Sequence, residues 1–363
     1  MKIPNCNSLS SHLKYQHYYL EGFRAIEKLK YRISPFWIDL SISVSGGRTR
    51  IINAFWKHLL SVKGRRQSTE ADHVGRYIIR SSRKNQTKIA IDAADGRRIR
   101  DPEAYEWSDL YFKANMWPSL QYPEKTFPLI SGDGNLNGER LKWLSQMRNY
   151  SISHDLIYWA TIWEPGYTRY YTNERCRRIV EHQIRLFEIL GKLECNKSLL
   201  AVLPKKKSLR SVDTRECIQR LTVAGVRYQF GWGNIDSRTF WQNLAASRVV
   251  IIRPGNHLCI SWRLIGLLCL GSCVVYDMSP FPQWYEPLRS AHQYVDGNCG
   301  LGTDYSLPSD AQYEYFINNI NCLLSDFEKI RELKGNAASY YDNFGSPVAV
   351  AEYVLRTAGC MPD

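Results

Sequence analysis

Residues 248–288, RVVIIRPGNHLCISWRLIGLLCLGSCVVYDMSPFPQWYEPL, decide how this chain is read. Val249 to Ile252 is a run of β-branched residues, the mark of a buried strand. Pro254-Gly255-Asn256 breaks it, and Gly255 leaves room for backbone to approach a ligand closely. An apolar helix is predicted over Trp262 to Leu270, with Ser261 placed to cap or precede it. Gly271 stops that helix, and Ser272 to Asp277 forms the next strand. A helix start carries N–H groups and a positive dipole end, which suits phosphate, and Arg263 in the first turn adds a bidentate cation. In an open α/β sheet, ligands bind at the carboxyl ends of strands, where this loop falls.

The surrounding sequence repeats the alternation. Asp155 to Trp163, Leu199 to Leu203 and Val249 to Ile252 read as strands. Asn173 to Leu193, Thr214 to Ala224 and Ser237 to Ala246 read as helices between them. Residues 310–358 are predicted helical and able to return across the first domain. Earlier in the chain, Ile38, Leu40, Ile42 and Val44 alternate as in a strand, then Ser45-Gly46-Gly47 leads into a helical pattern at Ile51, Phe55 and Leu59. Lys88 to Ala93 is a second strand, followed by the loop Ala94-Asp95-Gly96. Asp109 to Lys113 and Thr126 to Ser131 are shorter ones. These patterns predict two α/β domains, residues 1–140 and 141–363.

The stretch 248–288 resembles the sugar-nucleotide motif of GT-B-fold glycosyltransferases, above all the exostosin-like and the CAP/protein O-glucosyltransferase-like groups. The matching residues are Gly255, Ser261, Arg263 and Gly271, then Ser272-Cys273-Val274-Val275. Trp284 to Leu288 and His292-Gln293-Tyr294-Val295 are similar to the second group's pattern. The resemblance implies two Rossmann-like domains facing a cleft and a nucleoside-diphosphate sugar held by Arg263, Ser261, Gly255, Asn256 and Gly271. It also implies that the edge after Leu203 faces the diphosphate, which brings in Lys205 and Arg210, and that Trp232 stacks on the nucleobase. The loop at Gly46-Gly47, with Arg48 and Arg50, would face the acceptor; a plain tight turn reads equally well. Exostosin-like enzymes place a Glu three residues after the Arg, whereas this chain has Gly266; the O-glucosyltransferase-like group also lacks that Glu.

Transfer of a glycosyl group needs a base near the acceptor hydroxyl. Asp95 is the candidate, with Asp92 beside it, and the competing reading of Asp95 is an ordinary turn residue. Two residues rather than one separate Asp92 from Asp95, so no acidic D-x-D is formed, and no zinc or calcium spacing occurs. No P-loop or dinucleotide glycine pattern is present. A metal-independent reaction without a cofactor is expected, the nucleotide-sugar being the substrate.

Charge is distributed unevenly. Residues 1–100 carry 20 Lys and Arg against 7 Asp and Glu, which accounts for the whole net charge of +13. Such a surface suits a phosphate-rich glycan or lipid-linked acceptor, or an anionic membrane surface. Nucleic acid is the rival partner, disfavoured because no helix-turn-helix, zinc-finger or RNA-binding signature accompanies the charge. A GT-B-like protein that only binds glycan is a third reading. The ten cysteines are scattered and the first twenty residues lack an apolar run, so a cytoplasmic protein, peripheral on the inner membrane face, is expected.

Overall fold

The computed structural model describes residues 11–26, 29–33, 38–42, 74–80, 86–164, 171–204, 209–233, 235–277 and 282–361. They group into two compact units. The first holds residues 1–142, 282–287 and 341–363; the second holds 143–281 and 288–340. Against the expected split after residue 140, two later segments belong with the first unit.

The first unit contains α1 (Ser11–Ala25), β1 (Leu29–Ile33), β2 (Ile38–Ile42), β3 (Val74–Arg80), β4 (Gln86–Asp92), α2 (Pro102–Trp107), β5 (Leu110–Lys113) and β6 (Thr126–Pro128). The short helix α3 (Gly138–Gln146) leads out of it. Its six strands lie in sequence order. The sheet is mixed: β1–β2 and β3–β4 are antiparallel, while β2–β3, β4–β5 and β5–β6 are parallel. The expected strand at Ile38 is present, but the glycine turn and helix predicted after it lie outside the described residues. Helix α1 had no clear sequence signal, because aromatic and polar residues share its inner face. Tyr18, Tyr19 and Phe23 are buried on it, and Gln16 bonds both the Ile91 carbonyl and the Tyr77 hydroxyl.

The second unit begins with β7 (His154–Thr161), α4 (Asn173–Gly191), β8 (Lys197–Leu203), α5 (Thr214–Val223), β9 (Arg227–Phe230), α6 (Ser237–Ala245) and β10 (Ser247–Ile252). It continues through α7 (Arg263–Leu270), β11 (Cys273–Tyr276), β12 (Val295–Asp296), α8 (Asp310–Ser325) and α9 (Phe327–Tyr340). All its strand pairings are parallel, in the order β12-β11-β10-β7-β8-β9. The chain adds β8 and β9 on one side of β7, then turns back to add β10, β11 and β12 on the other. Between β7 and β10 the order reverses, which opens a crevice at the carboxyl ends of those two strands. Both faces of the sheet are covered: on one, Leu156, Tyr158, Val249 and Val275 pack with Val180, Phe187 and Phe316, and on the other Ile157, Trp159, Val250 and Val274 are buried too. The strands therefore read as unbroken apolar runs rather than as alternation.

A π-helical turn (Tyr341–Gly345) follows α9 and leads to α10 (Pro347–Thr357), which lies in the first unit. Ser346 caps α10 by accepting from the Ala349 N–H, and Pro347 occupies its first turn. The helix rests on α1: the Tyr18 hydroxyl bonds the Gly345 carbonyl, and a Cβ on Gly22 would lie 1.8 Å from the Pro347 carbonyl oxygen. The expected return of the tail to the first domain is thus made by α10, and the two helices meet at Gly22, where no side chain fits. Gly22→Ala should cost about 1–3 kcal/mol through overpacking, read as a lower denaturant midpoint. An unchanged midpoint would show that α10 does not dock there.

Candidate functional site

The crevice between β7 and β10 collects most of the residues singled out in the second half. Arg263 opens α7, directly after the loop that leaves β10. Its Nη1 donates to the Trp159 carbonyl on β7 at 2.8 Å. Its guanidinium carbon lies 5.5 Å from the Trp232 ring centroid and 4.9 Å from that of Phe240. Trp232 and Phe240 meet edge to face at 5.5 Å. Trp232 thus braces Arg263, and the two residues that sequence reasoning assigned to one site do touch. The arginine is held by a strand carbonyl and two aromatic rings before any ligand arrives.

Helices α4, α5, α6, α8 and α10 each begin with a side chain that accepts from a first-turn N–H. Helix α7 has no side-chain cap. Ser261, expected as a cap, lies two residues before Arg263 and uses its backbone instead: its N–H donates to the Tyr276 hydroxyl at 3.0 Å, and its carbonyl accepts from Leu264 at 2.9 Å. The N-cap position, Trp262, makes no side-chain capping hydrogen bond at this end, which carries about half a positive charge.

The loop before the helix is a closed turn. Gly255 donates to the Cys259 carbonyl at 3.0 Å and accepts from Leu258 at 2.8 Å. A Cβ on Gly255 would fall 2.5 Å from the Cys259 sulfur. The space left by Gly255 thus serves the turn, a correction to the expectation that it admits ligand. Leu258 takes φ 55°, a left-handed conformation costing a non-glycine residue roughly 1–2 kcal/mol, and its side chain is buried. Asn256 ties the turn across the crevice: its Oδ1 accepts from Arg253 at 3.2 Å, and its Nδ2 donates to the Trp163 carbonyl at 3.5 Å.

Gly271 has a different role from the one expected. It is the left-handed C-cap of α7, with φ 63° and ψ 47°. Eight residues of helix put it about 12 Å from the end that carries Arg263. Its missing side chain admits the Lys334 carbonyl, 3.1 Å from where a Cβ would be. Gly271 is a helix stop and leaves the donor-contacting group. Gly266 is also explained by packing. A Cβ there would lie 2.4 Å from Cη2 of buried Trp241 on α6. The indole occupies the place where a Glu side chain would start.

Lys205 lies outside the described residues, as do Gly46, Gly47, Arg48 and Arg50. Arg210 is exposed beyond β8, and its backbone N–H bonds the Glu164 carboxylate, which also accepts from the Ser211 N–H at 3.1 Å. Glu164 thereby joins the loops after β7 and β8. Sequence reasoning missed it, as it missed Arg253 and a buried relay beneath the crevice. In that relay His182 Nε2 lies 3.1 Å from Asp277 Oδ2, and His182 Nδ1 lies 2.9 Å from the Tyr313 hydroxyl. Burial pushes the Tyr158 phenol well above its usual value; nearby Arg253 pulls it back and Asp277 adds to the rise. No sequence pattern marks the relay, because His182 comes from α4, Asp277 from just after β11 and Tyr313 from α8.

The two acidic candidates of the first unit separate. Asp92 is fully buried at the end of β4. Its Oδ2 accepts from Lys113 Nζ at 3.0 Å and from Tyr111 at 2.8 Å, and its Oδ1 accepts from the Ala94 N–H at 2.9 Å. That carboxylate is committed to a buried ion pair and to holding the following loop, so Asp92 does not serve as a base. Asp95 sits three residues on and is partly exposed. Asn115 secures the same loop by donating to the Ala94 carbonyl at 3.1 Å. Among the described residues, no group of three or more His, Cys, Asp or Glu side chains can hold a metal ion. None of the described helices is long and apolar enough to cross a membrane.

No family model matches the chain, and no curated protein matches it. Among solved structures it is similar to HepE from Anabaena in complex with UDP and glucose, at 13% identity, TM-score 0.42, 70% of this chain and 64% of that one. A glycosyltransferase from Rickettsia africae gives 12% identity and TM-score 0.40, over 69% of this chain and 62% of that one. MurG from Acinetobacter baumannii gives 11% identity and TM-score 0.36, over 75% and 66%. The chain spans a little under two thirds of the length of the first two. At these TM-scores the likeness does not assign an activity.

Gly266→Ala should destabilise the second unit by about 1–3 kcal/mol, through the clash with Trp241. Pairing it with Trp241→Leu should cost less than the two single changes summed, because the residues share one space. Strict additivity in thermal melts would remove Trp241 as the reason for glycine at this position.

Proposed function

We propose that this chain is a GT-B-type glycosyltransferase that moves a sugar from a nucleoside diphosphate to a glycan or lipid-linked acceptor. The observation that carries the reading is Arg263. It stands in the first turn of a helix with no side-chain cap, at the reversal of an all-parallel sheet, and is fixed by Trp159, Trp232 and Phe240. A diphosphate placed there meets the helix dipole and a pre-positioned guanidinium. The resemblance of residues 248–288 to the exostosin-like and O-glucosyltransferase-like motif supports the same reading.

In the transfer, the bond between the anomeric carbon and the diphosphate oxygen breaks, and a bond from that carbon to the acceptor oxygen forms. Negative charge develops on the departing diphosphate, where Arg263 and the α7 dipole stabilise it. No protein-bound metal is assigned to that task. Asp95 is the proposed base and takes the proton of the acceptor hydroxyl. The basic first 100 residues are proposed to attract a phosphate-rich acceptor or an anionic membrane surface, which would place the enzyme at the cytoplasmic face.

Calorimetric titration with UDP, GDP, CMP and their sugars tests the donor site directly. One nucleotide should bind, and Arg263→Ala should weaken it by about 10- to 100-fold, as expected for losing a hydrogen bond between charged groups. Binding by none of them, or equal binding by the variant, would remove the reading. Asp95→Asn should leave nucleotide affinity unchanged while turnover falls by about 10²–10⁴-fold. Undiminished turnover would return Asp95 to the role of an ordinary turn residue.

A further inference from the structure

Trp163 lies two residues beyond β7, on the wall of the same crevice. Its backbone is held on both sides. The N–H donates to Gln183 Oε1 at 3.0 Å, and the carbonyl accepts from Gln183 Nε2 at 3.3 Å and from Asn256 Nδ2 at 3.5 Å. Gln183 is only 1% exposed, on α4. A buried amide is thus spent on fixing one loop residue, and burying an amide is costly unless its hydrogen bonds are made. The side chain so mounted is not itself packed away. Trp163 is 51% exposed, whereas Trp159 on the adjoining strand is 6% exposed and packs against Phe240. Among the described residues no ring or cation contacts the Trp163 indole.

A large aromatic held stiffly by its backbone and left open to solvent is the arrangement of a stacking platform. With the backbone already fixed, only two side-chain torsions are ordered when a ring settles on it. Its position fits the ligand of the proposed function. Asn256 links Trp163 to the turn that leads into α7, and Arg263 bonds Trp159 four residues earlier. At most about 14 Å of extended chain separates those two tryptophans. Trp232 on the other side already carries the edge of Phe240 and the Arg263 guanidinium. Trp163, by contrast, is anchored at the crevice through its carbonyl and leaves half of its surface exposed.

We infer that Trp163 stacks on a ring of the donor whose diphosphate sits at Arg263. This rests on the donor-site reading. A nucleobase and a pyranose both offer a ring face, and they are separated by the choice of probe. Wild type, Trp163→Ala and Trp163→Phe are titrated with the nucleoside diphosphate that the wild type binds, and with its sugar. Trp163→Ala should weaken binding by roughly 5- to 100-fold, the range for losing one aromatic stack, while Trp163→Phe retains most of it. The melting temperature should barely move, since the ring is half in water. Equal loss for both probes identifies the base as the stacked ring; loss confined to the nucleotide-sugar identifies the sugar. Unchanged affinity in Trp163→Ala, with Arg263→Ala still impaired, overturns the platform and leaves the donor site standing. No binding by the wild type overturns both.

Discussion

The hydrogen bond from Arg263 to the Trp159 carbonyl is the constraint on which the second unit's site depends. It joins the helix that follows β10 to the strand across the sheet's reversal. A parallel doubly wound sheet leaves its two halves splayed at that point, and the crevice is where ligands enter. Here the crevice is bridged twice, by Arg263 to Trp159 and by Asn256 to Trp163. Both bridges end on backbone carbonyls of the segment that includes β7 and its exit loop. The α7 N-terminus is therefore tied to main-chain acceptors by the side chains of Arg263 and Asn256.

How much of this was visible beforehand follows from the kind of signal each part carries. The second unit's strands were legible because burial on both faces demands continuous apolar runs such as Val249 to Ile252. Its helices were legible because they sit between those runs, and α4, α5, α6 and α8 start at Thr, Asp or Ser caps. The short edge strand β9 was not: three of its four residues are exposed, so neither an apolar run nor alternation marks it. In the first unit α1 was missed, since its buried face is built from tyrosines and Gln16. The α/β class and the strand–turn–helix unit that carries Arg263 were therefore within reach of sequence, whereas the contact of Arg263 with Trp232 was not. The separation of Asp92 from Asp95 was not. It depends on Lys113, which pairs with Asp92 across neighbouring strands and is itself fully buried. A lysine at a strand end looks exposed in one dimension.

The glycines show the same limit from another side. Gly255, Gly266 and Gly271 all lie in the stretch that suggested a donor site, and each is needed for a packing reason. One accommodates the Cys259 sulfur, one the Trp241 indole, and one a left-handed helix stop against Lys334. Each of these glycines is therefore accounted for by packing alone. They shape the turn and the helix that present Arg263. Gly266 carries a further consequence. With Trp241 in place, the helix turn after Arg263 has no space for an acidic side chain, so whatever a Glu contributes in exostosin-like enzymes must be met by other groups or not at all.

That leaves charge and rigidity to do the work. An arginine facing bulk water loses side-chain freedom when it grips a phosphate, which offsets part of the attraction. Arg263 has surrendered much of that freedom already. The two aromatic rings favour a cation by about 0.5–2 kcal/mol, more as water is excluded, and the Trp159 carbonyl fixes one of its five donors. Preorganisation of this kind favours charge that develops during a reaction, because nothing need reorient when it appears. The same logic extends to Trp163, whose backbone is fixed by the amide of a buried glutamine. Both residues are mounted through backbone carbonyls of the β7 segment, so the rigidity of one buried strand is passed on to a cation and to an open aromatic face.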